Sequence, residues 1–497
     1  EKVITVKIDT PKETMTSYLE RQVIKNQSGP VVPYMQFAIE DALKRLIYPS
    51  IEREVRSELT EKAEEQAIDI FSMNLQKLLL QPPLKGKVVL GIDPAFRTGC
   101  KLSVCDRQGN VLEKGVIYPH EKHIGGRISE EQTKESMKMM VRLIRKHHVE
   151  IIAIGNGTAS RETESFVAKL IKDVDLKVSY VIVNEAGASV YSASELAREE
   201  FPDFSVEERS AASIARRLQD PLSELVKIDP KSIGVGQYQH DVSPKKLNDS
   251  LNFVVTQAVN QVGVNVNTAS KALLMYVSGL NKTNAKNIVE YRQKVGKFKS
   301  RLDILKVPRL GDKTYEQAIG FLRIPDGDEA LDMTSVHPES YHVAKKIMTM
   351  YNITSNMFGK DEVKLIVSQM DRSKLSRELN VDSYTLDDIL DAFIQPLRDP
   401  RDQFSQPILK SDILKIEDLQ IGMELEGTVR NVVDFGAFID IGLKEDGLLH
   451  ISKISKSYIK HPKDVLNVND IVKVYVLNID LQKGKVGLTM LKETLNR

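Results

Sequence analysis

Cysteine is nearly absent from this sequence. Cys100 and Cys105 are the only two in 497 residues, which excludes a disulfide framework and points to a reducing, cytoplasmic compartment. No CxxC pair and no His/Cys cluster with zinc spacing occurs, so no structural metal is expected. No apolar run approaches the ~18 residues of a membrane-spanning helix, and no signal peptide is visible. Net charge is also missing, with 70 basic against 69 acidic residues. That balance hides segregation. Residues 271–323 hold 12 Lys+Arg against 4 Asp+Glu, net +8, and residues 326–402 hold 9 against 15, net −6. A neutral average built from such blocks implies a polyanion-binding segment beside an acidic one.

The length is too great for one core and implies roughly three to five domains. The chain starts at Glu1 rather than Met, and its first residues read as mid-domain, so further N-terminal sequence is expected. Residues 1–84 are mainly helical, with Pro49 interrupting a long charged helix, and Gln81-Pro-Pro-Leu-Lys-Gly marks a boundary. Residues 85–220 run β-β-β-α-β-α-β-α, the order of an RNase H-like fold. Residues 221–325 return to helix with two short Gly-containing loops. Residues 326–407 are helical and acidic, and Gln395-Pro-Leu-Arg-Asp-Pro reads as a linker. Residues 408–497 are short strands. The expected fold class is multidomain α+β, mainly helical, with one RNase H-like α/β domain and a C-terminal OB-type β-barrel.

The stretch Gly427-Thr-Val-Arg-Asn-Val-Val-Asp-Phe-Gly-Ala-Phe-Ile-Asp-Ile, followed by Asp446-Gly-Leu-Leu-His450, is the richest part of the chain. Phe435 and Phe438 are three apart, so strict alternation would put them on opposite faces. A bulge at Gly436 would turn both to one side. Exposed aromatics on a small sheet let bases stack, at about 1–3 kcal/mol each. The alternative is that Phe438 belongs to the barrel core. Lys453, Lys456, Lys460 and Lys463 follow with no acid among them, and Arg430 and Lys473 lie on neighbouring strands, which suits phosphate contacts. The segment resembles an S1 RNA-binding domain, a five-stranded OB-type barrel.

Asp93 ends the first strand of the RNase H-like unit, and Glu185 follows its last strand. Carboxylates at that edge hold divalent metal in nucleases of this fold. The unit resembles the YqgF family, related to Holliday-junction resolvases, and Asp93 and Glu185 match two of its acids. The third acid should come from Arg209-Ser-Ala-Ala-Ser-Ile-Ala-Arg-Arg-Leu-Gln219, where Arg209 or Ser210 takes its place. Asn156 stands where resolvases carry a further acid. These departures from the family pattern make the two acids vestigial, and no bound metal and no cofactor are expected. Gly155-Asn-Gly-Thr-Ala-Ser lacks the Lys-Ser/Thr of a phosphate loop and reads as a strand-to-helix turn capped by Thr158 or Ser160.

Tyr276-Val-Ser-Gly279-Leu-Asn281-Lys282 is echoed by Val307-Pro-Arg309-Leu-Gly311-Asp-Lys313. Both read as helix, tight hairpin, helix, and resemble a tandem helix-hairpin-helix, whose backbone N–H groups face phosphate. Asn281 replaces the second Gly of the first loop, and Arg309 the first Gly of the second. Asn tolerates the left-handed region; the same geometry at Arg309 is not assured.

The order of these modules, with runs such as Asn184-Glu-Ala-Gly-Ala-Ser-Val-Tyr and Val226-Lys-Ile-Asp-Pro-Lys-Ser-Ile-Gly-Val-Gly-Gln-Tyr-Gln-His-Asp241, resembles the bacterial Tex family of transcription accessory proteins. That resemblance implies a non-enzymatic factor with RNA and DNA as partners, and RNA polymerase or the transcription machinery as a further one. RNA or single strands would meet the barrel and DNA backbone the hairpins, with a degenerate nuclease-like scaffold between. The rival reading is a metal-dependent resolvase-type nuclease using Asp93 and Glu185.

Overall fold

The computed structural model describes residues 6–26, 28–120, 130–403, 409, 419–443, 446–456, 459–468, 470–480 and 485–492. The chain divides into two compact units, residues 1–71 with 238–247, and residues 72–237 with 248–497.

The first unit is helical. The helix Val32–Ala42 does not stop before Pro49. It passes through a π-helical stretch, Leu43–Ile47, into the helix Tyr48–Leu79. Proline removes a hydrogen-bond donor, and a widened turn just ahead of it accommodates the loss without ending the helix. Ile24, Ile39 and Leu43 form the small core here.

The second unit begins with the RNase H-like sheet, strands β1 (Val89–Asp93), β2 (Cys100–Cys105), β3 (Val111–Ile117), β4 (Ile151–Gly155) and β5 (Ser179–Val183). Their order is β3-β2-β1-β4-β5. β1, β4 and β5 are parallel, so their carboxyl ends share one edge. β1 and β4 are apolar runs with almost every residue buried, as strands covered on both faces require, and β2 is buried throughout although it carries Lys101 and Ser103. Helices Glu130–His147 and Ser160–Val174 cover one face. The helix Val206–Gln219 covers the other. It approaches so closely that a Cβ on Gly91 would stand 2.2 Å from the Ala211 carbonyl oxygen. The small residues of that helix are therefore packing requirements.

The first helical hairpin joins Lys271–Leu274 to Lys282–Val295, and the second joins the 3-10 turn Arg301–Lys306 to Asp312–Ile319. Two short parallel strands, β6 (Val264–Asn265) and β7 (Leu322–Arg323), tie their ends together. Helices from Tyr341 to Ile394 then build a separate core around Ile347, Leu390 and Phe393.

The Pro-containing segment after Gln395 is not a free linker as far as it is described. Asp399 and Arg401 are buried. Arg401 bonds both Asp399 and Asp220, and Lys85 bonds Asp399 at 2.9 Å. The sequence there looks like a spacer because its Pro and polar residues carry no apolar period; ion pairs with distant segments hold it down. Most of 404–418 lies outside the described residues.

The C-terminal barrel has strands β8 (Glu424–Val433), β9 (Gly436–Asp440), β10 (Gly447–His450), β11 (Ile471–Asp480) and β12 (Lys485–Thr489). It closes in the order β10-β12-β11-β8-β9. Val429, Ala437, Ile439, Leu449, Val474 and Leu488 fill it.

Candidate nucleic-acid interface

The barrel brings its two aromatics together, though not by the expected bulge. Val433 pairs Gly436 across a two-residue turn that holds Asp434 and Phe435. Phe438 is the third residue of β9, outward between the buried Ala437 and Ile439. The rings meet edge to face, 6.3 Å between centroids. Phe435 is 52% exposed and Phe438 is half-buried, so the core closes without either. Gly436 serves another purpose: a Cβ there would lie 2.3 Å from the Leu449 carbonyl oxygen. The bulge instead falls between Val429 and Asn431. It turns out Arg430, which pairs with Asp440 at 2.7 Å.

His450 pairs with Gly436 across β9 and β10, which places it beside the two rings. Its Nδ1 contacts the Ser452 hydroxyl at 2.9 Å, and His450 caps the turn Ile451–Lys453. Lys453 is half-buried and Lys456 exposed. Lys473 does not join this patch. It opposes Glu426 on β8, while Phe438 opposes Asn431. Five residues of strand separate those positions, about 17 Å. Lys473 pairs with Glu424 at 2.7 Å, which raises its pKa. Register decides this, and register across a closed barrel is not written in residue type.

The hairpins depart from expectation at Asn281, while Arg309 adopts the geometry that its residue type left open. Gly279 is left-handed at φ 86°, and so is Arg309 at φ 62°, without a glycine. Asn281 is extended at φ −129°; it caps the next helix, accepting from the Thr283 and Asn284 N–H groups. The second hairpin has Gly311 at the matching cap, with no side chain closing the helix start. Lys282 and Lys313 are both exposed in the first helical turn. The two hairpins lock together. A Cβ on Gly279 would lie 2.7 Å from that of Gln317, and Asn287 Nδ2 donates to the Pro308 carbonyl at 2.7 Å.

At the sheet edge, Asp93 and Glu185 are within electrostatic reach of each other. Burial pushes the Asp93 carboxyl up to about 6, with the Glu185 charge adding to it and a hydrogen bond from Ser210 opposing it. Ser210, then, stands at the place of the third acid. Arg209 points elsewhere, its guanidinium spent on the Phe201 and Ser192 carbonyls. Glu208 is drawn off to Lys114 and the Ser205 cap, while the Glu207 charge still reaches Asp93.

Glu185 lies across Gly155 and Gly157, where a Cβ would come within 2.3 Å and 1.7 Å of its oxygens. The glycine run is thus the seat of this carboxylate. The following helix is capped by Ala159 at φ 64°, not by Thr158 or Ser160. Asn156 Oδ1 accepts from the Glu185 N–H at 3.0 Å. Glu185 Oε2 is buried with no hydrogen-bond partner among the described residues. Burial raises the Glu185 pKa, opposed by the Gly157 N–H and the Arg217 charge. Arg217 was not anticipated. It is buried and bonds the Asn184 and Ala186 carbonyls on either side of Glu185. Lys101, opposite Asp93 in register, is also buried and binds the Thr98 and Gly99 carbonyls. A drawn β1–β2 hairpin would have found Lys101; nothing local would have found Arg217.

A two-metal clamp needs several ionised carboxylates facing solvent. Two half-buried carboxyls whose pKa values burial raises, a serine in place of the third and two buried cations do not fit it. One consequence is testable. Asp93 titrates near 6 folded and at 3.8 unfolded, so its favourable contribution is complete below pH 4 and lost as pH rises through about 6. Asp93→Asn should therefore stabilise the fold by about 1–3 kcal/mol at pH 8 and lose that gain at pH 4. Melting curves at both pH values check it; an unchanged or lower melting temperature at pH 8 sinks it.

Family models match in the same order as these domains. "Tex protein YqgF-like domain" matches residues 87–219, "Helix-hairpin-helix motif" 259–323, "HHH domain" 329–401 and "S1 RNA binding domain" 418–491. The third of these falls on the acidic helical part; within the matched residues Gly359 is the single glycine and no paired-glycine loop occurs. The chain is 58% identical over 492 residues to "Uncharacterized protein YdcI" of Bacillus subtilis, covering 99% of this chain and 68% of that one. It is 48% identical to "Transcriptional accessory protein Tex" of Neisseria gonorrhoeae, covering 89% of this chain and 57% of the relative. "S1 RNA-binding domain-containing protein 1" of Homo sapiens is 35% identical, with 99% of this chain and 55% of that one covered. The chain thus spans between about half and two thirds of these relatives.

Proposed function

The chain belongs to the Tex family, and from that premise we propose that it binds nucleic acid without cutting it. RNA or single strands engage the barrel, and duplex DNA the paired hairpins. The observation that carries this is the Phe435–Phe438 pair, one ring exposed and the other half-buried, beside His450 on a barrel whose core is complete without them. Bases stack on such a pair, and Arg430 and Lys453 offer charge at its margin. Arg430 is held only by a surface ion pair, worth about 0–1 kcal/mol, so a phosphate can compete for it. The relatives' names, a transcriptional accessory protein and an S1 RNA-binding domain-containing protein, agree with this reading. The RNase H-like domain serves as scaffold.

The test is a salt series on RNA, single-stranded DNA and duplex DNA, with and without residues 415–497. Removing the barrel should abolish most RNA and single-strand affinity and spare duplex binding. Lys282→Glu with Lys313→Glu should weaken duplex binding evenly across sequences and flatten the salt slope by about one per lost phosphate contact. Intact affinity in that folded double variant would mean that the basic block serves something other than DNA. With Mg²⁺ or Mn²⁺ no cleavage of RNA or junctions is expected. Metal-dependent cleavage that vanished in Asp93→Ala would install the nuclease reading instead.

A further inference from the structure

The second hairpin carries a strained residue where a strain-free one would serve. Arg309 holds φ 62°, a backbone region that side chains disfavour and glycine enters freely. The same turn in the first hairpin is made by Gly279. There glycine is obligatory for packing as well, because a Cβ would strike Gln317. Arg309 has no such constraint. It is exposed, and its guanidinium makes no hydrogen bond or ion pair with the described residues. Its backbone is fixed from both sides. Val307 and Leu310 are buried, the Leu310 N–H bonds the Val307 carbonyl, and the Pro308 carbonyl is taken by Asn287. The surroundings thus impose the conformation, which is how a costly backbone persists. What the strain achieves is a planar guanidinium on a rigid tip. It stands two residues before Gly311, where the next helix begins with no side chain across its N–H groups.

We propose that Arg309 is a direct contact to duplex DNA, clasping a backbone phosphate beside the one that meets the Gly311 helix start. Arginine suits this because its fork matches phosphate oxygens two at a time. A duplex suits it better than a flexible strand, because the interlocked hairpins present their contacts at one fixed spacing. The inference rests on the reading that these hairpins face nucleic acid, and it adds a side-chain contact that a glycine loop lacks.

The test sets Arg309→Gly and Arg309→Lys against Lys282→Glu with Lys313→Glu in the full chain, measuring melting and binding to a short mixed-sequence duplex. Arg309→Gly should melt no lower than the parent, since strain is relieved. It should bind roughly tenfold more weakly at low salt, with a salt slope smaller by about one. Arg309→Lys should keep the slope and recover only part of the affinity. Unchanged affinity in Arg309→Gly, with weaker binding in the lysine double variant, would overturn this inference and leave the hairpin reading standing. Full affinity in all three would remove both. A lower melting temperature in Arg309→Gly would also overturn it, because the arginine would then be supporting the turn.

Discussion

Arg301→Met should be among the most damaging single changes in the molecule, costing about 3–5 kcal/mol. Arg301 belongs to the basic block that marks the hairpins as a polyanion site, yet it is only 1% exposed. Its Nε donates to the Leu322 carbonyl, and its terminal nitrogens to the carbonyls of Thr334 and Val336 and to the Tyr341 hydroxyl. Its own N–H bonds the buried Asp332, which also accepts from Tyr341. One guanidinium thereby ties the second hairpin to the helical domain that follows. Methionine matches its bulk but leaves the buried acceptors unmet and the Asp332 charge uncompensated, and both are expensive away from water. Calorimetry of the full chain should show the earliest transition falling by roughly 10 °C. Arg301→Lys should recover little, because one ammonium cannot span acceptors arranged around a planar fork. A shift worth less than about 1 kcal/mol would mean that the network is replaceable by water.

The second large effect is on binding. Phe435→Ala should weaken RNA binding by about 1–3 kcal/mol, between roughly fivefold and a hundredfold or more. Melting should barely move, because the ring is more than half exposed. Phe438→Ala should weaken binding similarly and lower the melting temperature modestly, well short of the roughly 3–5 kcal/mol of a core phenylalanine. The double change should fall short of the sum, since the rings touch. Both measurements belong on the same protein. A Phe438→Ala variant that melts like a core mutant, or a Phe435→Ala variant with full affinity, would remove the stacking face from the barrel.

Arg309 and Lys271 apart, the cations of the hairpin block divide by residue type. Arg292 bonds the Val266 carbonyl, and its pKa is lowered by burial. Arg323 is likewise lowered by burial and by the Arg301 charge. Lys282, Lys286, Lys294, Lys297, Lys299, Lys306 and Lys313 are all exposed. A weakly hydrated guanidinium enters the interior at less cost than an ammonium, and it satisfies several carbonyls at once. The net charge of +8 over residues 271–323 therefore overstates what a nucleic acid would meet.

What the sequence determined by itself was the modular order and the element types: the parallel sheet from uninterrupted apolar runs, the barrel from alternating short strands, and the two hairpins from their glycine loops. Those signals are local, because side-chain period and turn chemistry act within a few residues. It also supplied Asp93, Glu185, Phe435, Phe438 and His450 as candidate site residues. Only the tertiary structure decided what each charge or ring does. Arg401 reads in sequence as part of a spacer, but Asp220, 181 residues away, holds it. Lys85 meets Asp399 across 314 residues. Ser210 rather than Arg209 faces Asp93, and Arg217 flanks Glu185 from about two turns further along the same helix. Arg309 keeps a left-handed turn that its residue type disfavours. The reason is common to all of them. The cost of a buried charge or a strained backbone is set by the groups that surround it, and those groups arrive from distant parts of the chain.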